Sequence, residues 1–326
     1  MALAAPSSLS PDKATTSLQH GGASRRGSHR LLSTSCERLW ALRTVYGLVP
    51  KIEPSFRLQG TLVHTCLAYH YAARMKSPPA WFHERTLEQA LREDGDGAPD
   101  LIQVAKEVYA SFASKFASQA WNPISVEEEY AATLGELDPG GPHPELDNEV
   151  VTCRTDLVIE VNGDLWIVDH KTTGGTSGQR LAAWREDGEY KLSWQIMLNL
   201  AILRAPSNVA RLGKRVRGFI IQRAKTRQPF DFDQHPVQVS AKAYALAPRT
   251  AREYVIAEKV IEAKIAAKQS PSPNFAMCWG RYGACDYHGL CGAASDFEQN
   301  QIITRGFRTV PTNATPVQLV QIGTAR

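Results

Sequence analysis

The stretch that most constrains the fold is Arg154-Thr-Asp-Leu-Val-Ile-Glu-Val-Asn-Gly-Asp-Leu-Trp-Ile-Val-Asp-His-Lys171. Two runs rich in β-branched residues, 157–161 and 165–168, flank Asn162-Gly163, a pair suited to the two positive φ angles of a tight hairpin turn. The stretch reads as two antiparallel neighbours in a sheet. Asp156 lies on the first strand and Asp169-His170-Lys171 ends the second, so the hairpin brings two carboxylates and an ammonium together. Period 2 puts Asp169 and Lys171 on one face and His170 on the other. Converging carboxylates repel unless a cation lies between them, and hard oxygen ligands favour Mg²⁺ or Mn²⁺. Lys171 beside such an ion can position a water or stabilise charge building on a phosphate. The plainer alternative makes Asp169 and Lys171 surface charges at a strand end and Asp156 a turn residue.

The rest of the chain frames this hairpin. Residues 1–29 are rich in Ser, Ala and Gly with one acid, Asp12, and read as a disordered leader. Residues 30–122 read as helical, with helices over 31–49, 60–75 and 101–121. Pro123 opens a mixed α/β core over 123–240, in which strands at 124–134, 150–160 and 165–169 precede a helix at 190–203 and a strand at 216–223. A long helix over 241–268 leads into a cysteine loop, and the two together form a segment over 241–295. Residues 296–326 read as a weakly structured tail.

Composition removes other classes. With 43% hydrophobic and 21% charged residues the chain has the makings of a globular core. It lacks the run of about 20 apolar residues that a membrane helix needs. A formal charge of +4 permits a polyanionic partner without requiring one. There is no Gly-x-x-x-x-Gly-Lys-Ser/Thr, hence no phosphate loop and no motor. Gly174-Gly175-x-x-Gly178 lacks a dinucleotide fingerprint and reads as a loop beside the site. Arg211, Lys214, Arg215, Arg217, Arg223, Lys225 and Arg227 either track a phosphate backbone or solvate an edge strand.

Six cysteines in a chain without a signal peptide suggest a reducing compartment, the cytoplasm. Three of them form Cys278-x6-Cys285-x5-Cys291, which can wrap a soft metal centre if one more ligand is found. His288 is one candidate, for a zinc site. Cys66 and Cys153 fall inside a predicted helix and strand and read as core residues.

In combination these segments resemble the PD-(D/E)xK nuclease superfamily, specifically its RecB-like branch with an iron–sulfur cluster. That branch includes exonucleases of recombination and phage replication and CRISPR adaptation nucleases. Gly60-Thr-Leu-Val-His64 matches the helical Gly-x-x-x-His motif, and Ile124-Ser-Val-Glu127 the apolar strand ending in Glu. Arg154-Thr-Asp156 and Val168-Asp-His-Lys-Thr172 match the two strands that follow. Trp194-Gln195-Ile-Met-Leu-Asn199 keeps the Gln of a Gln-x-x-x-Tyr motif but has Asn in place of the aromatic. Cys36-Glu-Arg-Leu-Trp40 matches the early Cys-x-Arg-x-Trp/Tyr segment. The first gap of the terminal cysteines departs from the usual Cys-x2-Cys-x5-Cys.

The resemblance runs over residues 31–291 and implies a restriction-endonuclease-like mixed sheet flanked by helices. It implies a metal-dependent DNA nuclease, an exonuclease on single-stranded or end-containing DNA in recombination, repair or phage replication. His64, Asp156 and Asp169 would hold Mg²⁺ or Mn²⁺, Lys171 would help activate water, and Glu127 and Gln195 would assist. Cys36, Cys278, Cys285 and Cys291 would hold a 4Fe-4S cluster, with zinc as the alternative. DNA is the implied partner, with a helicase or recombination protein beside it and no membrane. A catalytically silent nucleic-acid-binding or scaffold subunit of the same fold is the rival from another class. The residues themselves leave His70 competing with His64, and Glu129 with Glu127.

Overall fold

In the computed structural model of the chain, Asn162 and Gly163 take φ angles of 52° and 84° and close the expected hairpin. The structure describes residues 26–51, 54–95, 97–174, 190, 192–280 and 283–310. The hairpin strands are β3 (Val150–Val161) and β4 (Asp164–Thr173). They sit inside a five-stranded sheet completed by β2 (Asn122–Thr133), β5 (Val216–Lys225) and β6 (Phe232–Val237), ordered β2-β3-β4-β5-β6. All neighbours are antiparallel except β4 and β5. A parallel pair needs a crossover, and this one contains α8 (Trp194–Leu203) and α9 (Pro206–Leu212).

Each face of the sheet is covered by helices. On one, α3 (Ser55–Ala72) and α6 (Pro99–Lys115) bury Leu62, Tyr71 and Phe112 against Leu157, Ile159 and Val168. On the other, α8 and α10 (Ala241–Ala266) bury Leu198, Ile202 and Val255 against Val158, Ile167 and Phe219. The architecture is the expected mixed α/β one, a mixed sheet between helical layers. Among the described residues, no helix is long and apolar enough to cross a membrane.

Three stretches differ from the sequence reading. Residues 31–49 are not one helix: α1 (Ser28–Ser33) and α2 (Glu37–Trp40) are separated at Cys36, whose backbone is extended (φ −130°, ψ 101°). A π-helical turn, Ala41–Val45, then gives way to β1 (Leu48–Pro50). The tail is more structured than expected. Ser295 caps α12 (Asp296–Gly306) by accepting from the Glu298 N–H, and β9 (Phe307–Thr309) pairs antiparallel with β1. No local pattern could announce that pairing, because the partner strand lies at the other end of the chain.

The leader is the third difference. Residues 1–25 lie outside the described residues, but Arg26 to His29, grouped with them by composition, carry structure. Arg26 and Arg30 both donate to Glu258 of α10, and Arg26 also reaches Glu149. The Trp40 indole N–H donates to Glu258 as well, at 3.2 Å. Glu258 is fully buried, so its charge is matched by two guanidiniums and a third donor.

Candidate active site

Glu127 lies within β2 with a left-handed backbone, φ 49°. The pairs on either side are Val126 with Leu157 and Glu128 with Thr155, which sets Glu127 across from Asp156 of β3. Side-chain alternation reverses there: Val126 packs on the α3 face, whereas Tyr130 and Ala132 pack on the α8 face. A left-handed non-glycine residue costs about 1–3 kcal/mol and persists only where its surroundings hold it.

A third group arrives from α3. That helix lies close to β4 at Gly60, where a Cβ would stand 2.9 Å from Thr172 Oγ1. The glycine therefore permits the close approach. One turn later His64 Nδ1 stands 3.7 Å from Asp156 Oδ2. The ligand atoms of His64, Glu127 and Asp156 all lie within 4.8 Å of one another. Burial, then the Asp156 charge, hold the Glu127 carboxyl well above its ordinary range, against a smaller opposing pull from Arg154. Two crowded carboxylates and an imidazole are a donor set that fits a divalent cation.

Asp169, Lys171 and Gln195 form an adjoining group on the α8 side. Lys171 Nζ lies 2.7 Å from Asp169 Oδ2 and donates to Gln195 Oε1 at 3.4 Å, while Gln195 Nε2 donates to Asp169 Oδ1 at 2.9 Å. Burial alone would lower Lys171, but Asp169 and Asp156 outweigh it and keep the ammonium above its ordinary value. The sequence reading has Asp169 sharing an ion with Asp156. In this geometry Glu127 takes the third place, and Asp169 stands beside the group with Lys171.

The two alternatives left open separate cleanly. Glu129 pairs with Arg154 at 3.5 Å rather than joining the site. His70 packs edge-on against Tyr71, Tyr109 and Phe112, and burial lowers its pKa to about 4.

His170 is a residue that the sequence reading passed over. It points to the α3 face, stacks on Tyr71 (5.8 Å, 7°) and meets the His64 ring edge-on at 5.7 Å. Its backbone N–H donates to Asp156 Oδ2 at 2.7 Å. Burial, then His64 and Lys171, hold its imidazole far below the usual value and so neutral. Alternation along β4 was the available signal. His29 of α1, within electrostatic reach of Lys171 and Asp169, had none.

His64, Glu127, Asp156 and Thr172 line a cavity of about 460 Å³, with Phe56 and Arg57 on its wall. Much of the basic stretch is matched elsewhere: Arg211 pairs with Glu128, Lys214 with Glu160, Arg217 with Asp164, and Arg223 with Asp233. That pairing favours solvation of the sheet over tracking a phosphate backbone. Of the glycine loop, Gly175 and Gly178 lie outside the described residues.

Cys36, Cys278, Cys285 and Cys291 line one small cavity. Cys36 Sγ accepts from the Asn274 N–H at 3.3 Å, and the Cys285 N–H donates to the Cys278 carbonyl at 2.8 Å. Burial raises the Cys285 and Cys291 thiols. Cys66 and Cys153 are buried elsewhere, the former raised to about 12 by desolvation.

A family model described as the PD-(D/E)XK nuclease superfamily matches residues 31–292. No curated protein matches the sequence. Among solved structures the chain is similar to a Eubacterium rectale protein assigned provisionally as an exonuclease, at 12% identity over 92% of this chain and 93% of that one, with a TM-score of 0.42. It is also similar to SSO0001, at 14% identity over 61% of this chain and 74% of that one, with a TM-score of 0.27.

Proposed function

The chain belongs to the PD-(D/E)XK nuclease superfamily, and we propose that within it the protein is a metal-dependent deoxyribonuclease, an exonuclease on single-stranded or end-containing DNA. The observation that carries this reading is the convergence of His64, Glu127 and Asp156 on one cavity, with the Lys171–Asp169 ion pair beside it.

His64, Glu127 and Asp156 would hold Mg²⁺ or Mn²⁺, with Asp169 completing the acidic wall. When bound, the ion supplies a polarised phosphate oxygen and an acidified water. Lys171, kept charged by its carboxylate neighbours, turns its ammonium toward charge that builds on the phosphate. Gln195 spans Asp169 and Lys171 and holds that pair in register. The His170 ring braces the His64 ring, and its backbone N–H fixes the Asp156 carboxylate.

The cysteine site belongs to the same reading: a RecB-like nuclease with a 4Fe-4S cluster on Cys36, Cys278, Cys285 and Cys291. What supports a shared metal centre is that all four line one small cavity, with Cys36, Cys278 and Cys285 within electrostatic reach of Cys291; four thiolates suit either a cluster or a single zinc. With the first boundary moved ahead of Arg26, since α1 spans Ser28–Ser33, the proposed segments are residues 26–122, 123–240, 241–295 and 296–326, the proposed setting is the cytoplasm, and the proposed role is recombination, repair or phage replication beside a helicase or recombination protein.

Purified protein should degrade end-labelled linear DNA in Mg²⁺ or Mn²⁺, spare covalently closed circles and stop with EDTA. Cleavage of circles would replace the exonuclease reading with an endonuclease one. DNA binding with no cleavage in either metal would favour a catalytically silent subunit.

A further inference from the structure

Phe56, in the first turn of α3, is 54% exposed on the wall of the cavity that holds His64, Glu127 and Asp156. An aromatic ring left in water forgoes about 25 cal/mol per Å² of apolar burial. Beside the ring, the Arg57 guanidinium carbon stands 5.9 Å from its centroid. Arg57 is itself fixed, donating to both oxygens of Asp286 at 3.1 and 3.4 Å. Asp286 follows Cys285, so the segment carrying the cysteines anchors one side of this wall. A few residues along, Gln59 donates to the Thr226 carbonyl at 3.4 Å and ties the same turns of α3 to the end of the sheet. The result is an apolar ring in a braced, polar entrance.

We propose that Phe56 is the stacking platform for a base next to the scissile phosphate, which makes single-stranded nucleic acid the substrate class of this cavity. The inference rests on the nuclease reading above. Inside a duplex both faces of a base are covered by its neighbours, so an exposed ring on the wall beside the metal-ligand group meets only a base that has been freed. Stacking also suits an enzyme that reads every sequence alike, since each base offers a π-face. The cavity volume of about 460 Å³ suits a small ligand such as a nucleotide. Other exposed rings, Phe275, Trp279 and Phe297, line no part of this cavity.

The test uses the full chain without divalent ion, so that no cleavage competes with binding. A labelled single-stranded oligonucleotide of about 15 residues covers the usual site size. Phe56→Ala should weaken its binding about tenfold, and Phe56→Trp should restore it. An abasic oligonucleotide of the same length should bind the wild type and Phe56→Ala equally. Binding of Phe56→Ala within about twofold of wild type, or full rescue by Phe56→Leu, would overturn the proposal. Cleavage in Mn²⁺ is scored separately on the wild type. Its absence would sink the nuclease reading while the binding series still decides the role of Phe56.

Discussion

The Asp156 carboxylate accepts a hydrogen bond from the backbone N–H of His170 at 2.7 Å, so a side chain of β3 is aimed by the main chain of β4. Orientation thus survives any change of the His170 side chain that leaves β4 paired. It also separates the charge of Asp156 from its placement.

Asp156→Asn keeps an acceptor for the His170 N–H and removes one of the two charges facing His64. Metal-dependent cleavage should fall by at least about a hundredfold, with the melting temperature nearly unchanged. Isothermal titration with Mn²⁺ should show the same loss. Retention of wild-type affinity would place the ion elsewhere.

Lys171→Ala should lower kcat by about 10²–10³-fold with little effect on DNA affinity, because its contribution is made in the transition state. Asp169→Ala should lose activity too, since Lys171 then lacks its anchor. Binding by anisotropy and folding by circular dichroism separate this from misfolding. Undiminished turnover in purified Lys171→Ala would move the catalytic centre away from β4.

Glu127 sets a pH dependence. Its pKa is raised in the fold above the ordinary 4.5, so the contribution of its protonated form is complete below 4.5 and is lost as pH rises through the folded value. His170, lowered by burial, acts in the opposite direction: its contribution is complete above its ordinary 6.5 and is lost as pH falls from there through the lower folded value. Comparison with Glu127→Gln isolates the first effect. Without metal the variant should match wild type near pH 4 and become the more stable of the two as pH rises, and Mn²⁺ should reverse the order. Metal binding should release a proton and weaken in acid. Parallel melting curves for the two proteins from pH 4 to 8 would contradict the crowding of Glu127 by Asp156.

Anaerobically purified protein should be brown, with about four irons per chain. Replacing Cys36, Cys278, Cys285 or Cys291 by Ala should bleach it and lower stability, whereas Cys66→Ala and Cys153→Ala should keep the colour. Metal analysis that finds one zinc and no iron would assign a zinc site.

The hairpin, the sheet and the helical layers were legible because period and turn chemistry are local: Asn162-Gly163 announces itself, and Ala251, Val255 and Ile261 mark the buried stripe of α10. His64 and Asp156 were legible as residues, through the motifs around them. The partnership of Glu127 with Asp156 was not, since it depends on a left-handed backbone in mid-strand that no propensity favours. Nor was the place of Arg26 and Arg30. Their surroundings read as leader, and the reason they are held, Glu258, lies on the last long helix. The β1–β9 pair escaped for the same reason of distance, as did β6, whose Pro236 argues against a strand except at an edge.

The pairing of β1 with β9 places a time order on the molecule. A ribosome adding about 5–20 residues per second exposes Cys36 and Leu48 roughly tens of seconds before Cys278 and Phe307 exist. His64, Glu127, Asp156 and Lys171 all emerge within that interval. The residues proposed for the cleavage centre are therefore all made while the amino-terminal strand is still waiting for its partner, and the proposed four-cysteine centre could form only once Cys291 has been added. A product released early by a stop codon before Cys278 would carry every residue of the catalytic group, with β1 unpaired and Cys36 left as a lone thiol.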